Sequence, residues 1–211
     1  AILWVAHFSH AALALKVAMA REGRGLWHVS RPEHGFSTSA FGIALLNPLR
    51  VRVEQRFLAG RIVIDRRRPE RALREARRAL AGNGLVSFTA GAWEGSAVAS
   101  PRLLGACQRL ALGAPGLARL TGAPLLPVVV VENGNGQRID VHILGPLGPA
   151  AGWDRAAGRR DTEAADHAIA QRYCDAIEPW IRQFPDQWRG WKDLSADSGG
   201  ARNPAFDVTP P

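Results

Sequence analysis

The sequence predicts an α/β domain with a mostly parallel central sheet flanked by helices. Short apolar runs such as "AILWVA" (1–6) and "PLLPVVVV" (124–131) lack the polar alternation of a half-exposed strand, so they read as strands buried on both faces. Segments of helical periodicity alternate with these runs along the chain, the pattern of a parallel sheet with crossover helices. With 211 residues, 46% of them hydrophobic, the chain is long enough for one substantial core.

In order, "AILWVA" (1–6) is the first strand, followed by a helix within "HAALALKVAMAREGRG". Ser9 is its expected N-cap, and Gly23 or Gly25 its stop. "LWHV" (26–29) is the second strand, ended by "SRPEHG"; residues 36–46 are expected to be helical up to Asn47-Pro48. "RVRVEQRF" (50–57) alternates like an edge strand, and "RIVID" (61–65) is another strand. Residues 68–84 form a helix with Pro69 in its first turn and Gly82-Asn83-Gly84 at its end. "LVSF" (85–88) is a strand, followed by a long irregular segment reaching Leu110. A short helix (113–122) leads into the strand 124–131, a tight "ENGNGQ" turn and an alternating strand, 138–144. A Gly/Pro/Ala-rich linker (145–160) precedes an amphipathic helix (161–184), interrupted or kinked near Pro179. The domain is expected over 1–194, with a loose polar tail over 195–211.

The net charge of +8, carried mostly by arginine, suits an acidic partner: an anionic membrane surface, an acidic carrier protein or nucleic acid. An RNP-like motif and a zinc pattern are both missing, which argues against nucleic acid. There is no Gly-x-Ser-x-Gly elbow for a serine hydrolase, and no phosphate loop or dinucleotide fingerprint. Two cysteines, Cys107 and Cys174, form no disulfide framework, as expected of a reducing compartment. No apolar run approaches the roughly 20 residues of a membrane span. The chain starts inside a strand at Ala1, which suggests a fragment lacking an N-terminal segment.

In parallel sheets, ligands bind beyond the carboxyl ends of the strands. His7 stands at such an end, with His10 three residues on. Around these residues, "HFSHAA", "SRPEHG", "PRLLG", "GAPGLARLTGAPLLPV" and "AIEPWIRQFPDQWRGW" together resemble the lysophospholipid acyltransferase superfamily, closest to the bacterial lipid A lauroyl/myristoyl acyltransferases. Gly113, Thr121, Gly122, Ala123, Pro124 and Pro127 reproduce the layout of its most specific segment. Glu178, Pro185, Gln187, Trp188 and Trp191 follow the spacing of its C-terminal piece.

The resemblance implies an acyltransferase at the cytoplasmic face of a bacterial inner membrane, peripheral or anchored by a missing segment. It implies transfer of a fatty acyl chain from an acyl carrier protein or coenzyme A thioester to a hydroxyl of a lipid or glycolipid, with no metal or redox cofactor. His7 would be the general base. The family's signature is His, four residues, then Asp or Glu, and here the acidic position is Ala12. Starting from His10 instead gives Leu15.

Three readings of His7 therefore stay open. It is a base oriented from elsewhere, by Glu94 in "AWEGS", by a backbone carbonyl or by His10; or the chain is a degenerate relative that binds lipid or carrier without transfer; or His7 is a packed strand-end residue. By resemblance, Arg31, His10, Gly91, Gly95 and Arg102 would hold substrate, Arg31 and Arg102 against anionic groups. An ordinary surface role is open for both arginines. An apolar slot for the acyl chain is expected from residues 85–112. Arg67, Arg71, Arg74 and Arg78 share one helix face, either a dock for an acidic carrier or anionic lipid, or a solvated surface. Trp180, Trp188 and Trp191 would sit at a membrane interface or pack the last helix on the sheet.

Overall fold

The computed structural model describes residues 1–30, 47–65, 68–91, 97–134, 136–148 and 159–195. The elements run β1 (Ile2–Val5), α1 (Ala11–Arg21), β2 (Leu26–Ser30), α2 (Asn47–Gln55), β3 (Gly60–Val63), α3 (Pro69–Ala81) and β4 (Leu85–Thr89). Four short strands follow: β5 (Val98–Ala99), β6 (Arg102–Leu103), β7 (Ala106–Gln108) and β8 (Leu110–Ala111). The chain continues with α4 (Gly113–Thr121), β9 (Leu125–Asn133), β10 (Arg138–Ile143), α5 (Arg159–Gln183), a 3-10 turn (Trp191–Asp193) and β11 (Leu194–Ser195).

The main sheet has the order β10-β9-β1-β4-β2-β3. All its strands run parallel except β10, which pairs antiparallel with β9. The architecture is thus the α/β class read from the apolar runs. All four residues of β1 are buried, because it lies between β4 and β9 with helices over the sheet. The chain leaves β1 toward β2 and β3, then crosses back through β4 to β9. The order reverses around β1, and in such sheets the crevice beyond the strand ends at that point receives ligands. Pro127 is tolerated in β9 because it lies where the β10 ladder ends: Leu144 N–H still donates to its carbonyl at 2.9 Å, and only the bond its missing N–H would make is lost.

Ala11, Leu15 and Met19 form the buried stripe of α1, and Lys16 beside it is ion-paired with Glu54 of α2, tying those helices together. Helices α3, α4 and α5 touch in sequence and form another layer. α5 buries Ala165, Ile169, Ala170, Tyr173, Cys174, Ile177 and Ile181 along one face. Tyr173 lies on Trp4 of β1, ring centroids 4.1 Å apart.

Four expectations are corrected. Residues 50–57 are not an edge strand, because α2 covers Asn47–Gln55. Their two-residue alternation is too short to fix the period, and the most buried side chain is Glu54, held by a partner on α1. The N-cap of α1 is His10, not Ser9, whose hydroxyl instead donates to the Gln187 carbonyl at 3.0 Å. The segment after β4 is not wholly irregular: β5 pairs with β8, β6 pairs with β7, and β7 pairs with β11. α5 is not interrupted at Pro179, one of the two alternatives expected there, but runs as one helix through it. The expected helix over 36–46 and the tail beyond 195 lie outside the described residues.

Candidate active site

The carboxyl end of β1 is held by both neighbours: Ala6 N–H donates to Val128 O and Ala90 N–H donates to Val5 O, each at 2.8 Å. The chain then turns, and the segment after α5 is stitched across it. Arg189 N–H donates to His7 O at 2.8 Å and Ser9 N–H to Gln187 O at 2.9 Å, around an antiparallel bridge between Phe8 and Trp188. Arg189 Nε also donates to Ser9 Oγ at 3.1 Å. Phe8 and Trp188 are buried, so this strap anchors the loop in the core.

Gln187 fixes the strap to the sheet. β9 outruns β1, and beyond Val128 its edge toward β1 lacks a strand partner. The Gln187 side-chain amide replaces one. It donates to Glu132 O at 2.9 Å and accepts from Glu132 N–H at 2.7 Å, as a neighbouring peptide group would.

His7 is half-buried. Burial depresses its pKa below the ordinary 6.5; Asp193 opposes this and the cations Lys192 and Arg189 add to it. The imidazole is therefore neutral at pH 7, the state in which a ring nitrogen can take a proton. No carboxylate among the described residues lies within hydrogen-bond reach of it. Behind the ring is a small cavity of about 10 Å³, lined by His7, Ala90, Gln108, Leu110, Tyr173, Ile177, Trp188, Gly190 and Asp193.

His10 has the carboxylate that His7 lacks. Its Nε2 lies 2.5 Å from Glu132 Oε2, and the side chains are 41% and 31% exposed, so the pair is open to solvent. The structure thus brings His7 and His10 to one edge. Gly91 is close by: it follows Ala90, which lines the cavity, and its carbonyl accepts from Ala111 N–H at 3.1 Å. Arg102 does not line the cavity; it is exposed on β6, where its backbone is bonded to the Gln171 side chain of α5. Glu94, Gly95 and Arg31 lie outside the described residues.

Gln108, Tyr173, Asp193 and Glu132 escaped the sequence reading. Glu132 had one usable signal, an acid ending an apolar strand. Tyr173 was masked by its regular place on the buried stripe of a helix. Glu178, flagged by its spacing, has a structural duty. Its carboxylate accepts from Leu104 N–H at 3.0 Å and pairs with Arg182, and both hold its pKa below the usual range. Leu104 needs that support because it adopts a positive φ of 55° in the β6–β7 turn. Of the tryptophans, Trp188 is buried in the strap, Trp180 stacks on His142 with centroids 4.3 Å apart, and Trp191 is 47% exposed.

A larger hollow of about 980 Å³ opens at the opposite, amino end of the sheet, lined by Trp27, Met19, Leu85 and Ile143 with Arg24 and Arg78. Its described lining also includes the carboxylates Glu22 and Glu75. Of the described residues of 85–112, Leu85 lines this hollow, and Val86, Ala99, Leu103, Leu110 and Leu112 are buried in the core. No helix of the described residues is long and apolar enough to cross a membrane. No protein-family model and no curated protein matches the chain.

Proposed function

We propose that the protein transfers a fatty acyl chain from a carrier thioester to a hydroxyl of a lipid or glycolipid, with His7 as general base. The observation that carries this reading is a half-buried imidazole at the carboxyl end of the central strand, where the strand order reverses, its pKa lowered by burial and its loop fixed by the Gln187–Arg189 strap. A ring nitrogen takes the acceptor's hydroxyl proton as the oxygen bonds to the thioester carbonyl carbon. The carbon–sulfur bond then breaks and the departing sulfur takes the proton back from the imidazolium. The products are one ester and one thiol.

The donor is an acyl carrier protein or coenzyme A thioester. The net charge of +8 and the exposed Arg71, Arg74, Arg77 and Arg78 of α3 favour an acidic carrier or an anionic membrane surface at the cytoplasmic side.

Two observations support other readings. The His10–Glu132 pair is the hydrogen-bonded imidazole and carboxylate of this edge, which favours His10 as the base of the same reaction. The lack of a directly bonded carboxylate at His7 among the described residues favours a relative that binds donor or lipid without transfer. The test is incubation with acyl carrier protein and coenzyme A thioesters over vesicles containing lipid and glycolipid acceptors, with ester and free thiol quantified by mass spectrometry. Acyl transfer predicts one thiol per new ester. Donor or vesicle binding with the thioester intact would leave the binding relative.

A further inference from the structure

The cavity beside His7 is small, and polar groups from distant parts of the chain meet in it among apolar side chains. Tyr173 and Gln108 are both buried, and Tyr173 Oη and Gln108 Oε1 have no hydrogen-bond partner among the described residues. Both residues line this cavity together with His7 and Asp193. Buried polar atoms are seldom left unpaired, and a bridging water is the usual remedy where the space is polar and large enough. The volume of about 10 Å³ is close to what one water needs.

We infer that a single ordered water fills this cavity and links Asp193 to His7, making Asp193 the positioning carboxylate that the sequence motif lacks. The inference rests on His7 being the base. The hydrogen-bond inventory closes. Burial holds the Tyr173 hydroxyl protonated, so it needs an acceptor, while Gln108 Oε1 needs a donor. The water accepts from Tyr173 O–H and from the one N–H of neutral His7, and donates to Gln108 Oε1 and to the Asp193 carboxylate. That arrangement selects one tautomer and leaves the other ring nitrogen, with its lone pair, for the acceptor hydroxyl. When His7 takes the proton, Asp193 stabilises the imidazolium through the water. Opposing it are Lys192 and Arg189 of the same strap; Tyr173 is the titratable group that α5 turns toward the cavity, and it stays neutral.

The test follows the His7 ring by NMR titration in the wild type, Asp193→Asn and Tyr173→Phe, with single-turnover thiol release measured alongside. Asp193→Asn is expected to lower the His7 pKa by roughly one unit and to slow thiol release about 10²-fold. Asp193→Glu, which keeps the charge, recovers most of the pKa. A crystal structure of the wild type is expected to show water density between the four groups. An unchanged His7 pKa in Asp193→Asn, or an empty cavity, overturns the inference. If Asp193→Asn does not fold, the crystallographic water and the Tyr173→Phe titration decide. A wild type with no acyl transfer but with the expected pKa change and water would retain the link and refute the acyltransferase reading instead.

Discussion

Gln187→Ala tests whether the strap holds the site. The side chain makes two hydrogen bonds to the Glu132 backbone, 2.7 and 2.9 Å long, at the unpartnered edge of β9. Each neutral bond of this kind contributes about 1 kcal/mol net. Truncation also leaves the Glu132 N–H and C=O, both partly shielded, to find water. The expected cost is therefore about 2 kcal/mol, which at this chain length corresponds to a fall in Tm of about 4–8 °C. The main-chain bonds from Ser9 and Arg189 survive the substitution, so the fold persists while the strap loosens. Gln187→Glu separates the two bonds: it keeps an acceptor for Glu132 N–H but loses the donor to Glu132 O, so about half the loss is expected. Thermal unfolding followed by circular dichroism, with urea midpoints as a second measure, reads both variants. A Gln187→Ala protein melting within about 1 °C of the wild type would show that the amide does not substitute for a strand, and the strap would lose its role.

Other consequences concern neighbouring groups. Gly190→Ala places a methyl group 2.6 Å from Cε2 of the buried Trp188 ring, which packs edge-on against Trp191 with centroids 4.9 Å apart. It should cost about 1–3 kcal/mol and lower thiol release more than its stability loss explains; equal activity with normal stability would mean that the ring moves freely. His7 protonates in the fold only below its ordinary pKa of 6.5. The unfolded chain therefore binds more protons just below that pH, so the His7 contribution is complete above about pH 6.5 and is lost as pH falls toward the folded pKa. His7→Gln should flatten this part of the urea-midpoint profile, and an unchanged profile would count against the depressed pKa. Glu54→Ala leaves the buried Lys16 without that carboxylate and should destabilise by about 3–5 kcal/mol; replacing the pair with Met and Leu together should recover most of it, and a mild Glu54→Ala phenotype would show that Lys16 reaches water.

The parts of the fold legible in the sequence are those written in local pattern. β1, β2, β4 and β9 are apolar runs because strands inside a parallel sheet bury both faces, and α3 announces itself by Pro69, its Arg/Glu periodicity and a Gly-Asn-Gly stop. α2 departs from the expectation because its character depends on a non-local fact: the buried Glu54 is ion-paired with Lys16 of another helix. β5–β8 are two or three residues long and gain their partners from one another and from β11, so no periodicity precedes them. The position of His7 was legible, since a histidine closing a buried strand belongs at the ligand-binding edge. Its surroundings were not. Glu132 reaches His10 from the far end of β9, and Asp193 reaches the His7 cavity from the strap after α5. A fixed spacing within "HFSHAAL" cannot encode either.

The central claim is that His7 takes the acceptor proton. It is tested most directly by single-turnover thiol release from a labelled acyl thioester, in the presence of acceptor vesicles, by the wild type, His7→Ala and His10→Ala, each first shown to be folded. The account predicts a fall on the order of 10²–10⁴ for His7→Ala, the span of a lost general base, and a smaller fall for His10→Ala. Wild-type turnover by His7→Ala would contradict it, and if His10→Ala alone were inactive, the base would be the His10–Glu132 pair.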